Sequence, residues 1–179
     1  MPAYHSSFKE VKGEVVCATA LLPLKTKVKG PAPKELDESK EDIIDEVLKY
    51  FKANMLFRTF QVESPADRTL IYLTLYTHYL LKNTENKKTS KKADADRLYF
   101  TLCEAELPGP GDNSFELAAF YDKPRDNDDK KKWQAYMRQA KEELGIRLAK
   151  LVFSNDSAGS DKLWMQFSKR KFLGKAFIN

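Results

Sequence analysis

Ser64-Pro65-Ala66-Asp67-Arg68-Thr69-Leu70-Ile71-Tyr72-Leu73-Thr74-Leu75-Tyr76-Thr77-His78-Tyr79-Leu80-Leu81-Lys82 is the stretch on which the fold turns. Its first four residues read as a helix start. The Ser side chain can accept an orphan N–H, the Pro occupies a first-turn position where a missing donor is no loss, and the Asp faces the positive end of the helix dipole. From Leu70 to Leu81 apolar residues then fall on nearly every side of the helix. A helix that is apolar all round must be buried all round, so the sequence predicts a central helix over about 65–82, enclosed by other helices. This apolar run is only about twelve residues long and contains Thr74, Thr77 and His78, whereas a membrane-spanning helix needs roughly 20 apolar residues.

Upstream, Ser39-Lys40-Glu41-Asp42 offers a capping-box-like start. Ile43, Ile44, Val47, Leu48, Phe51 and Met55 then recur at three and four residues, as an amphipathic helix requires. Before it, residues 14–36 pass from a β-branched run into Pro23, Gly30, Pro31 and Pro33, a composition that predicts an extended arm laid over something. Downstream, a cationic loop at 86–92 leads to a helix over 93–107, and Leu107-Pro108-Gly109-Pro110-Gly111-Asp112 forms a turn cluster. A short apolar piece spans Phe115 to Tyr121. From about Asp128 to Phe153, a long helix places Trp133, Tyr136, Met137, Ala140, Leu144, Leu148, Leu151 and Val152 on one stripe, and its Gly145 costs about 1 kcal/mol relative to Ala. After the loop 154–161, a last helix presents Leu163, Trp164 and Phe167, followed by Lys169, Arg170 and Lys171. The expected fold is all-α: one domain over 1–179, with an extended arm at 1–37 and a helical body at 38–179.

With 179 residues, 42% hydrophobic and 32% charged, the chain has the composition of a folded protein with one core. Thirty-one cations against 26 anions give a net charge of +5, too mild an excess to announce a nucleic-acid protein. Cys17 and Cys103 stand alone, with no spacing for a disulfide framework or structural zinc, which suits a reducing compartment. The first seven residues, Met1 to Ser7, lack the layout of a secretory signal, so a cytosolic location is expected.

A search for chemistry finds no catalytic constellation. His5 and His78 have no Cys or Asp at ligand spacing, and the glycines form no phosphate-cradling pattern. Pro108-Gly109-Pro110-Gly111 is a turn whose prolines remove the donors a phosphate nest needs. Asp126, Asp128 and Asp129 sit at a helix start, where the dipole accounts for them. Neither catalytic residues, nor a metal, nor a cofactor is expected. Lysines at 87–92, 130–132 and 169–171 keep open an alternative, a free basic helical module that binds nucleic acid through backbone phosphates. The acids beside the first two clusters count against it.

Several stretches resemble the family of actin-related protein 2/3 complex subunit 3, the 21 kDa subunit. These are MPAYHSS at the start, ALLPLKTKVKGPAP at 20–33, DIIDEVLKYFKAN at 42–54 and SPADRTLIYLTLY at 64–76. LPGPGDNSFEL at 107–117, YMRQAKEELGIRL at 136–148 and LWMQFSKRKFLGK at 163–175 continue the series in the family's order. Residues 8–16 and 83–97 match no pattern of the family. The resemblance implies an all-α, non-catalytic subunit of a seven-subunit assembly that nucleates branched actin filaments. It also implies contact chiefly with actin-related protein 3, proximity to the mother filament, and a place in the cytoplasm and the actin cytoskeleton of cell projections, with no membrane insertion.

Within that expectation two surfaces are candidates for partner binding. Tyr4 and His5 are polar-tipped rings in a segment with little core of its own, which predicts that they dock on a neighbouring subunit rather than on this fold. Lys169, Arg170, Lys171 and Lys175 are candidates to meet an acidic protein surface. The plainer reading of these cations is a solvated helix end that offsets the dipole.

Overall fold

The computed structural model describes residues 3–178. Ser64 caps a helix at Pro65–Asn86 (α2), its side chain accepting from Asp67 N, with Pro65 in the first turn. Every residue from Thr69 to Leu81 of α2 is buried. Its threonines do not strand their hydroxyls in the core. Thr74, Thr77 and Thr84 donate to the carbonyls of Leu70, Leu73 and Leu80, four residues back, and Thr69 donates to Ala20 O at 2.6 Å. The helix runs past Lys82 because Asn83, donating to Tyr79 O, and Thr84 continue the same back-bonding.

Around α2 stand four more helices: α1 at Ile43–Asn54, α3 at Lys92–Cys103, α4 at Asn127–Val152 and α5 at Lys162–Met165. α1 begins three residues later than Ser39 suggests. Asp42 accepts from Asp45 N and its own N–H donates to the Asp45 side chain, a reciprocal cap. α3 and α4 pack closely because Gly145 has no side chain; a Cβ there would lie 3.1 Å from Tyr99 Cβ. The glycine that weakens α4 as an isolated helix is thus what lets Tyr99 fit between the two. Leu151 does not belong to the buried stripe and is exposed, while Phe153 is buried. The closing helix is a single turn that tightens into a 3-10 turn over Gln166–Lys169. Trp164 and Phe167 pack on Phe51 of α1, but Leu163 is 63% exposed, so it is not part of that apolar face.

The all-α expectation needs one correction. Val15–Val16 (β1) and Thr19–Ala20 (β2) pair antiparallel around a two-residue turn at Cys17 and Ala18. The two-residue hairpin sits inside the segment expected only to be extended, and the short β-branched run explains it. From β2 onward the arm crosses α4, whose side chains hold the Thr19 hydroxyl, three carbonyls and one amide of it. Trp133 Nε1 donates to Thr19 Oγ1, Tyr136 OH to Leu22 O, Arg147 to Lys25 O and Gln139 Nε2 to Val28 O, while Gln139 Oε1 accepts from Ala32 N. Leu21, Leu22 and Leu24 of the arm are buried in the same core as α2.

Candidate interaction surfaces

Residues 4–7 lie on the chain's own helices. Tyr4 N donates to Asn54 Oδ1 at 2.9 Å and Asn54 Nδ2 donates back to Tyr4 O at 3.1 Å. His5 Nδ1 donates to Asp67 Oδ2 at 2.9 Å, and Ser6 N donates to Asp67 Oδ1 at 2.7 Å. Ser7 gives both its N–H and its hydroxyl to Glu46. Asn54, Glu46 and Asp67 are each at most 2% exposed. Three buried acceptors on α1 and α2 therefore bind four successive residues of the N-terminal segment. Burial pushes the Glu46 carboxyl above its ordinary value, and the Ser7 donors pull it partly back.

Tyr4 and His5, expected to dock on a neighbouring subunit rather than on this fold, thus also bind this chain's own α1 and α2. The sequence hid the site because its acceptors lie 39 to 62 residues away and read as ordinary helix residues. What remains outward is one face of Tyr4. Its other face stacks on Tyr50, centroids 4.7 Å apart, and the residue is 45% exposed.

His5, Glu63 and Asp67 bring three metal-type donors within 4.8 Å of one another. Asp67 is already committed, since it accepts from Ser6 N, His5 Nδ1 and Glu63 N. It also stands at the N-terminus of α2, where the dipole opposes a cation. The cluster reads as a latch for the N-terminal segment.

Lys169, Arg170 and Lys171 are exposed, and the structure divides them between two grooves. Lys169 faces Lys88 and Lys162 across one groove of about 500 Å³. Arg170 and Lys171 line another of about 520 Å³ with Arg58 and the exposed Leu56. Between them Ser168 is buried, and its carbonyl lies 3.2 Å from His78 Nε2. Phe172, fully buried, anchors the next turn, in which Phe172 and Lys175 exchange backbone hydrogen bonds around Leu173 and Gly174, both at positive φ. Lys175 leans toward Glu116 at 3.9 Å. The aromatic residues of this run are thus packing, and the outward groups are cations. Arg58 and Leu56 escaped the sequence reading because they follow the end of α1, about 110 residues from the cations they join.

In the other two lysine clusters, three of seven lysines are held in ion pairs. Lys92 pairs with Asp96 at 2.6 Å, Lys130 with Asp112 at 3.4 Å and Lys132 with Glu14 at 2.6 Å. Each of these cations is thereby less available to a nucleic-acid backbone. Cys17 and Cys103 are free and buried, and burial pushes both thiols up, Cys17 to about 11. A thiol so raised is a poor nucleophile at neutral pH. No helix among the described residues is long and apolar enough to cross a membrane.

Three relatives are similar to this chain over nearly their whole length. It is 43% identical over 176 residues to actin-related protein 2/3 complex subunit 3 of Dictyostelium discoideum, covering 97% of this chain and 98% of that one. It is 40% identical to the Schizosaccharomyces pombe protein of the same name, over 98% of this chain and 99% of that one. The probable subunit 3 of Caenorhabditis elegans is 39% identical over 99% of this chain and 97% of its own. The family model for the ARP2/3 complex ARPC3 (21 kDa) subunit matches residues 1–177. The chain belongs to that family, the 21 kDa subunit of the actin-related protein 2/3 complex.

Proposed function

We propose that the chain is a structural, non-catalytic subunit of the actin-related protein 2/3 complex, contributing through that assembly to actin filament nucleation and branched networks. The observation that carries this reading is the match over nearly the whole length of both chains. The body described above suits the role, since its arm and its terminal segments are tied to a common core and offer fixed surfaces to neighbours. Actin-related protein 3 is the chief expected neighbour, with the mother filament near the basic grooves at Arg58, Arg170 and Lys171 and at Lys169. The outward face of Tyr4, held in place through His5 and Asp67, is a second contact, and the cytoskeleton of actin-rich cell projections is the expected location. The test is purification of the tagged chain from its cell at moderate salt. Stoichiometric recovery of both actin-related proteins is expected, and their absence would overturn the reading.

A further inference from the structure

Neither surface above uses the cleft beside the C-terminal end of α3. It has a volume of about 670 Å³ and lies between the C-terminal end of α3 with its following loop and the first half of α4. Tyr72, Trp133 and Met137, all buried, are among its lining residues, and Lys141 stands in its wall. Lys141 is only 7% exposed. Among the described residues it forms no hydrogen bond or ion pair, and its close neighbour is the Tyr76 ring, 5.5 Å from Nζ to centroid. The Tyr76 hydroxyl is itself buried without a partner.

Four of the other six charged residues that line the cleft are matched. Arg138 binds Glu104 and Glu142, and Lys130 binds Asp112. Glu104, which acts on Lys141 at longer range, is thus turned toward Arg138. Buried ammonium groups are ordinarily paired, because an unpaired one loses its hydration without return. The ring of Tyr76 offsets only part of that loss. Burial accordingly pushes the Lys141 ammonium below its ordinary value.

We propose that this cleft docks an acidic segment of a neighbouring polypeptide, one carboxylate closing on Lys141. The inference rests on the reading of the chain as a complex subunit. A single carboxylate fits better than a polyanion, since Glu104, Glu106 and Asp112 also line the cleft and would repel a phosphate chain.

Lys141→Met in the full chain separates recognition from structure. Methionine keeps the unbranched stem and removes the charge, so the free chain is expected to melt about 2–4 °C higher. In competition with the wild-type chain for assembly with partner subunits, the same variant is expected to incorporate at least about tenfold less well. Lys150→Met, on an exposed turn of α4, is the control and should match the wild type in both. A lysine with only a structural role would shift both readouts in one direction. Wild-type incorporation by Lys141→Met, or a lowered melting temperature, would overturn the inference. Failure of the wild-type chain itself to assemble would instead overturn the reading on which it rests.

Discussion

At the hairpin turn Cys17 and Ala18 both adopt positive φ, 53° and 59°. Side chains other than glycine, asparagine and aspartate rarely do so, because Cβ crowds the carbonyl. Two-residue hairpins nevertheless want this geometry, since its twist matches that of the strands. Ala18→Gly should relieve the crowding and raise stability by about 1 kcal/mol, read as a higher urea midpoint with an unchanged slope. A second residue ties stability to pH. His78 is buried, its Nε2 faces Ser168 O, and its Nδ1 has no partner. Burial, aided by Lys82 and Lys171, holds its pKa below the ordinary 6.5, although the Ser168 and Arg170 carbonyls pull it up. The unfolded chain therefore binds a proton that the folded chain resists. The stability contributed by the neutral ring is complete above about pH 6.5 and is lost as pH falls toward the depressed value. Melting temperatures from pH 7 to pH 5 should drop more steeply for the wild type than for His78→Gln, which keeps a donor for Ser168 O. Equal slopes would show that other groups carry the acid sensitivity.

Among the elements, α2 was legible in the sequence because its evidence is local. Ser64, Pro65 and Asp67 fix its start, and the run Leu70 to Leu81 can only be satisfied by enclosure. Local evidence misled at the start of α1, where Ser39 and Asp42 both qualify as caps; Asp42 holds the place because Arg147 also binds it, through both carboxylate oxygens. The arm was illegible for a related reason. Its partners on α4 lie more than 100 residues away, and nothing in the spacing of Tyr136, Gln139 and Arg147 announces that they will grip backbone, or that Trp133 will reach the Thr19 hydroxyl. Gly30 is part of that grip, since a Cβ there would lie 2.8 Å from Gln139 Cβ. Gly30→Val should expel the Gln139 amide from Val28 and Ala32 and cost about 2–3 kcal/mol, measured by denaturant unfolding.

Across the whole molecule, the candidate surfaces were half visible from sequence. The cations at 169–171 stand out as a run, but their division between two grooves and the addition of Arg58 depend on where the chain folds back. Reversing Arg58, Arg170 and Lys171 to Glu should leave the melting temperature of the chain nearly unchanged, because these are exposed positions. The same variant should lower branch formation severalfold at low salt, with the gap to the wild type narrowing as ionic strength rises. Unaltered branching at low salt would assign these charges to solvation alone. The grip of α4 on the arm also sets an order in time. Residues 19–32 leave the ribosome early, yet the side chains that hold them are made only with residues 133–147. Until then Leu21, Leu22 and Leu24 have no complete core to enter, so the nascent chain carries an exposed apolar segment through most of its synthesis. A ribosome-bound chain stalled at residue 126 should therefore remain open to protease within the arm, and one released at full length should not; the last third of this polypeptide is what makes its first third safe from aggregation.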